Sequence, residues 1–229
     1  MNRTFFFAVP LYLMTDLLNQ PELFFDALKK KIAENLPGEA AQHRMSSRAR
    51  IPTAEYLKQN PNHRPSAVLL PLFPYEETIY TALIRRPSYD GMHSGQLALP
   101  GGKVEPGDSS LTFTAIRETE EEVGIKIPES AMLGALSPVY IPVSNFLVHP
   151  FAAQLNEKPT WIPDKHEVDA VIEFPISHLL DAEFKDRRRI AIGKNMFIDA
   201  PCYIVDGQIL WGATAMIFSE LESILEGKV

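Results

Sequence analysis

The stretch that decides the fold is residues 101–125, GGKVEPGDSSLTFTAIRETEEEVGI. Its second half has no proline, and we predict a helix over 109–123 that stops at Gly124. At about 100° per residue, Glu118, Glu121 and Glu122 fall within roughly 100° of arc, so their side chains are neighbours. A different helix face, suited to packing on a sheet, carries Thr112, Ile116, Thr119 and Val123.

The three glutamates form a cluster that an isolated helix disfavours. Like charges at these spacings repel, and the negative end of the helix dipole lies beside them. A divalent cation would offset both effects, and an all-oxygen ligand set is typical of Mg²⁺ or Mn²⁺. Arg117 is adjacent and could orient one carboxylate. The helix alone leaves open the alternative of a solvated acidic face.

A glycine turn precedes this helix. Pro100, Gly101 and Gly102 follow the short strand that we predict at 97–99. Glycines at the end of a strand let the backbone approach a ligand or metal closely. Asp108 or Ser109 is expected to cap the helix.

Turn, helix and acidic cluster together resemble the Nudix box. The family pattern is Gly, five residues, Glu, seven residues, Arg-Glu, an apolar residue, one residue, Glu-Glu, one residue, Gly and an apolar residue. The matching positions here are Gly102, Arg117, Glu118, Glu121, Glu122, Gly124 and Ile125. Asp108 stands where Glu is usual, with eight residues rather than seven between it and Arg117, and Thr119 replaces the apolar residue.

The one-residue expansion is similar to the coenzyme A pyrophosphatase branch of the family. The upstream segment ALIRRPSYDGMHSGQLALPGG also resembles that branch's signature. The residues that fit it are Leu83, Arg86, His93, Gly95, Gln96, Pro100, Gly101 and Gly102. Gly91 stands where the signature has a second Arg. Ile84 stands in place of a Thr, Pro87 in place of a small residue, and Leu99 in place of a Phe. The later segment PVYIPVSNFLVHP resembles the strand-loop-strand that borders the active site in this branch.

The resemblance implies the roles of the site residues. Metal ligands would be Glu118, Glu122 and the Gly101 carbonyl, with Glu121 as a ligand or as the base that activates water. Arg117 would hold Glu118 in place. Asp108 is expected to support the loop. Glu167, in an acidic loop before a strand, is the candidate second base, with a solvated loop acid as its alternative.

Substrate contacts are expected at Arg86, His93 and Gly102. Arg85 and Arg86 alternate faces of a strand, so only one can face the site. A purely structural role for His93 is an equally open alternative to substrate contact. The cations Lys185, Arg187, Arg188 and Arg189, and the extension's Arg44, Arg48 and Arg50, are candidates for phosphate contact or are ordinary surface charges.

Composition excludes several classes of protein. The 229 residues carry 22 Lys plus Arg against 29 Asp plus Glu, a net charge of −7, with 45% hydrophobic residues. This balance excludes disorder and argues against nucleic-acid and membrane-surface binding. One cysteine, Cys202, rules out a disulfide scaffold, and no apolar run is long enough for a membrane span. We therefore predict a cytoplasmic location. The apolar run 5–14 is interrupted by Pro10, and Met14 is an alternative start to Met1.

These observations predict an α/β (α+β) fold, the Nudix α/β/α sandwich with a mixed β-sheet. The extension, residues 1–62, has a helix at 21–36 and could serve dimerisation or cover the site, and residues 63–229 form the Nudix domain. The resemblance implies Mg²⁺- or Mn²⁺-dependent hydrolysis of coenzyme A or its derivatives to 3′,5′-ADP and 4′-phosphopantetheine. The alternatives are the same chemistry on ADP-ribose or an oxidised nucleotide, or a non-catalytic ligand-binding module.

Overall fold

The computed structural model describes residues 14–87, 95–193 and 196–228. Within these residues the chain forms five α-helices, several short 3-10 helices and eleven strands. The α-helices are α1 (Pro21–Glu34), α2 (Gly38–Gln42), α3 (Thr53–Gln59), α4 (Leu111–Val123) and α5 (Gly212–Leu225). The strands are β1 (Arg64–Tyr75), β2 (Thr78–Arg85), β3 (Leu97–Ala98), β4 (Gly101–Lys103), β5 (Met132–Ala135), β6 (Val139–Ile141), β7 (Phe146–Gln154), β8 (Ala170–Pro175), β9 (Lys185–Gly193), β10 (Met196–Val205) and β11 (Gln208–Leu210).

Eight of the strands form one mixed sheet. Its main order is β3-β2-β1-β7-β5, while β4 pairs with β1, β6 with β7 and β8 with β2. The central strands β1 and β7 are parallel and the other pairs are antiparallel. The remaining strands form a separate antiparallel sheet in the order β11-β10-β9.

Strand β1 shows how the layers are built, because its side chains alternate between two cores. Ala67 and Leu69 pack in a core with Ala115 and Val123 of α4. Leu70 and Leu72 lie in a larger core on the other face, together with the apolar residues of α1 and α5. Since successive residues of a strand point to opposite faces, helices cover both faces of the sheet. The predicted mixed α/β sandwich is confirmed.

The described part of the extension is packed on the face opposite α4. Phe24, Leu28 and Ile32 of α1 are buried there, and α2 packs against α5. The fully buried Glu220 of α5 accepts hydrogen bonds from the Gly38 and Ser137 amides and from Gln42. These helices therefore do not cover α4. Dimerisation and the division at residue 62 stay predictions.

Several boundaries differ from those expected. The N-cap of α4 is Ser110, whose hydroxyl accepts the Phe113 N–H, and not Asp108 or Ser109. The stretch 132–141 is divided into β5 and β6, because Pro138 lies between them and has no N–H to donate to a ladder. Helix α2 and strand β4 were not anticipated. Both are short, and β4 depends on distant pairing with β1.

Within the three described ranges, no helix is both long and apolar enough to cross a bilayer.

Candidate active site

Helix α4 is fixed at both ends and along one face. Ser110 caps its start, and Gly124 ends it with φ of 72° in the left-handed region. Thr114, Ala115, Thr119 and Val123 are buried toward the sheet. This packing leaves Glu118 and Glu122 along the edge of the helix that faces β4.

The two glycines of β4 permit a close approach between sheet and helix. Gly101 pairs with Val68 and Gly102 with Ala67. A Cβ at Gly101, whose φ is 145°, would overlap the Ala67 carbonyl oxygen, and a Cβ at Gly102 would overlap the Glu118 carboxylate. Glycine is therefore required at Gly101, whereas a side chain at Gly102 would displace the carboxylate of Glu118, which lies directly against the backbone of β4.

Glu122 is the most buried carboxylate of the predicted set, with only 2% of its surface exposed. Its Oε2 atom accepts the Gly101 N–H at 2.8 Å. Burial raises the pKa of Glu122 to about 7, although the Gly101 hydrogen bond and the charge of Arg86 act in the opposite direction. An added positive charge would favour the ionised form of this carboxyl.

Glu118 is less buried than Glu122, but the pKa of its carboxyl is raised as well. Burial raises its pKa, Arg117 lowers it, and the charges of Glu121 and Glu167 raise it again. The charges of Glu118 and Glu167 also raise the pKa of Glu122. The structure thus brings Glu118, Glu122 and Glu167 into one electrostatic environment.

Arg117 connects the acidic residues to the loop before the helix. Its guanidinium lies 2.9 Å from Asp108, 2.8 Å from Glu121 and 3.1 Å from Glu118. Asp108 also accepts from the Glu105 amide and the Thr114 hydroxyl, and the hydrogen bonds from Arg117 hold the pKa of Asp108 far below its usual range. These contacts fit the expected supporting role of Asp108 in the loop.

The segment that carries Glu167 lies against the C-terminus of α4. The Ile162 N–H donates to the Val123 carbonyl and the Asp164 N–H to the Glu122 carbonyl, both at 2.9 Å. Sequence reasoning selected Glu167 but missed Asp164, whose place after Pro163 at the start of a polar turn is a signal that was present.

Of the two adjacent arginines, Arg85 is engaged elsewhere. It forms a 2.7 Å ion pair with Asp169 and donates to Gln208. The charge of Arg86, the arginine that we predicted, lowers the pKa of Glu122 and therefore acts on the site. His93 and Gly91 lie outside the described residues.

Most of the other cations considered as phosphate contacts have partners within the fold. Arg44 contacts Ser219, Ser223 and Glu222, and Arg50 donates to the Tyr140 carbonyl. In the small sheet, Lys185 pairs with Glu222, Arg188 with Asp186, and Arg189 stacks on Phe197.

The donor set fits a divalent cation in its chemistry. In the parts of the chain that the structure covers, no three His, Cys, Asp or Glu side chains are already arranged to hold a metal ion. Glu118 and Glu121 instead contact Arg117. All of the candidate ligands are nevertheless oxygen atoms. Burial raises the pKa of Glu118 and of Glu122 by disfavouring their charged forms, and a bound cation would offset this cost.

Two proteins are similar to this chain in sequence, and one solved structure is similar to it in fold. The human mitochondrial coenzyme A diphosphatase NUDT8 is 33% identical over 156 residues, which cover 66% of this chain and 65% of that protein, just under two thirds of its length. The uncharacterized Nudix hydrolase NudL of Yersinia enterocolitica is 33% identical over 163 residues, covering 70% of this chain and 80% of NudL. A MutT/nudix family protein from Enterococcus faecalis superposes with a TM-score of 0.49 at 16% identity, over 83% of this chain and 76% of that one.

The model of the NUDIX domain family matches residues 62–192, more than half of the chain, and this region includes β4, α4 and the Glu167 loop. The chain therefore belongs to the NUDIX domain family.

Proposed function

We propose that this protein hydrolyses the pyrophosphate bond of coenzyme A or its derivatives, giving 3′,5′-ADP and 4′-phosphopantetheine. The observation that carries the proposal is the arrangement of Glu118 and Glu122 against Gly101 and Gly102 of β4, with Arg117 connecting Glu118 to Asp108 in the loop before α4. The name of the human relative, a coenzyme A diphosphatase, supports the choice of substrate.

Nudix hydrolases generally require divalent metal ions, and we propose Mg²⁺ or Mn²⁺ here. Glu118, Glu121, Glu122 and the Gly101 carbonyl would hold the ion. When bound, it would neutralise charge on the pyrophosphate and polarise the phosphoryl oxygens. Because Glu121 now contacts Arg117 at 2.8 Å, its side chain would have to turn from Arg117 toward the ion.

The other residues would bind substrate and move a proton. A water attacks one phosphorus, the bridging P–O bond breaks, and Glu167 takes the proton of that water as general base. Glu121 is the alternative base. Arg117 keeps Glu118 against β4, and Arg86 neutralises a substrate phosphate. His93 is proposed as a further phosphate contact. Gly102, whose lack of a side chain makes room for the Glu118 carboxylate, is proposed as a further substrate contact.

The partner that we propose is therefore a small nucleotide-type molecule and neither a nucleic acid nor a membrane. We also retain the cytoplasmic location and a homodimer as proposals. Fractionation and sedimentation of the full chain test these two points.

The experiment is product analysis after incubation with Mg²⁺ or Mn²⁺ and coenzyme A, with ADP-ribose and oxidised nucleotides in parallel. Glu118→Gln is the inactive reference and Glu120→Gln the matched control, since Glu120 is exposed on the same helix. Faster release of 3′,5′-ADP from coenzyme A than of products from the others supports the proposal. Cleavage of another substrate instead would exclude coenzyme A as the substrate but support pyrophosphate hydrolysis. Cleavage of none of the compounds would favour a ligand-binding module.

A further inference from the structure

The loop that carries Glu167 is fastened to the end of α4. The last carbonyls of a helix have no partners within the helix, and here the amides of Ile162 and Asp164 supply them for Val123 and Glu122. Gly124 makes this approach possible. A Cβ at Gly124 would lie 2.7 Å from the Ile162 Cβ and 2.8 Å from the Ile162 carbonyl oxygen.

Asp164 then folds the following residues into a turn. Its carboxylate accepts the His166 N–H at 2.9 Å. Its carbonyl accepts the Glu167 N–H at 3.1 Å and the Val168 N–H at 2.8 Å. Val168 is fully buried beside α4. The turn is therefore anchored at both ends, and Glu167 lies between the anchors.

Glu122 of α4 connects the turn to the site. Glu122 accepts the Asp164 amide through its main-chain carbonyl, while its side chain bonds to Gly101. Glu167 is close enough for its charge to act on both Glu118 and Glu122. A change in the turn would thus alter the place of Glu167 relative to these carboxylates.

We propose that Asp164 is a positioning residue for the reaction: it caps the end of α4 and folds the turn that presents Glu167 to the Glu118–Glu122 pair. This inference rests on the proposed function. The contrary view is that Asp164 only stabilises the loop, and the two views predict different kinetics.

The first test compares Asp164→Ala with Asp164→Asn, and uses Lys165→Ala as the control in the same exposed loop. Asn keeps an oxygen that can accept the His166 N–H, whereas Ala removes it. We expect Asp164→Ala to lower kcat about five- to tenfold, the effect of about one lost hydrogen bond. KM and Mn²⁺ affinity measured by electron paramagnetic resonance should not change, and Asp164→Asn should restore most of kcat.

A double-variant cycle tests whether the effect passes through Glu167. If it does, Asp164→Ala combined with Glu167→Gln should be no slower than Glu167→Gln alone. Hydrogen exchange of the metal-free protein gives a readout without activity: the amides of residues 166–168 should exchange faster in Asp164→Ala and not in Lys165→Ala.

Three results would overturn the proposal while leaving the proposed function intact, provided that the wild type is active and Glu118→Gln is not. They are an unchanged kcat in Asp164→Ala, additive effects in the double variant, and full activity of Glu167→Gln. A wild-type protein that cleaves none of the substrates refutes the proposed function, and the inference fails with it.

Discussion

Replacing Glu122 with Gln should make the metal-free protein more stable although it removes a residue that we propose for the site. The pKa of Glu122 rises from an ordinary 4.5 to about 7 because its carboxyl is buried. At about 1.4 kcal/mol per pH unit, ionisation of this group costs the folded state about 3 kcal/mol. The neutral amide avoids that cost and keeps an oxygen for the Gly101 N–H.

The pH dependence follows from the direction of the pKa change. Because the folded-state pKa is the higher one, the protein takes up a proton on folding between the two values. Stability from this group is full below pH 4.5 and is lost as the pH rises through about 7. Glu122→Gln should therefore exceed the wild type by about 3 kcal/mol at pH 8.5 and by only about 1 kcal/mol at pH 5.

Urea unfolding in EDTA at the two pH values measures the difference. Glu120→Gln is the control, since Glu120 is exposed and only 3.7 Å from Lys126, and it should stay within about 0.5 kcal/mol of the wild type. Adding Mg²⁺ should raise the unfolding free energy of the wild type and have little effect on Glu122→Gln. Turnover of Glu122→Gln should fall by orders of magnitude. If Glu122→Gln is no more stable than the wild type at pH 8.5, the conclusion that burial makes ionisation of Glu122 costly is refuted.

Three further outcomes are expected. Gly102→Ala should abolish turnover while circular dichroism stays native-like, because the new Cβ displaces the flexible Glu118 side chain; an active variant would contradict the close approach. Thr81→Val should raise the unfolding free energy in urea by about 1 kcal/mol, since the buried Thr81 hydroxyl has no hydrogen-bond partner among the described residues; a loss of stability would show that it has one. Glu220→Ala should lower the unfolding free energy by about 3 kcal/mol or more, because three donors lose their acceptor; a neutral result would mean that the extension is held by apolar packing alone.

Local sequence signals predicted much of this fold. The extent of helix α4 follows from a stretch without proline that ends at Gly124. Of the face predicted to pack on the sheet, Thr119 and Val123 are buried, whereas Thr112 and Ile116 are half-buried. Strand β4 could not be predicted in this way. Its three residues become a strand only by pairing with β1, more than thirty residues earlier in the chain.

In the candidate site, too, local patterns could be predicted from the sequence and long-range contacts could not. The Arg117, Glu118, Glu121 and Glu122 positions were readable because they share one helix and a family pattern. The contact of Asp164 with the Glu122 carbonyl depends on a loop some forty residues later, and no spacing in the sequence encodes that distance. The contact of Arg117 with Glu118 was expected, whereas its contact with Glu121 was visible only in three dimensions.

The hydrogen bond between Gly38 and Glu220 has a consequence for synthesis on the ribosome. Its two residues are 182 positions apart, and Arg44 and Ser219 are separated by 175. At roughly 5–20 residues per second, α2 is made about 10–40 s before α5, the helix that it packs against. During that interval Phe24, Leu28 and Ile32 lack the α5 side of their core. We therefore expect nascent chains that stall before residue 212 to be held by chaperones, while the complete chain closes this core in one late step.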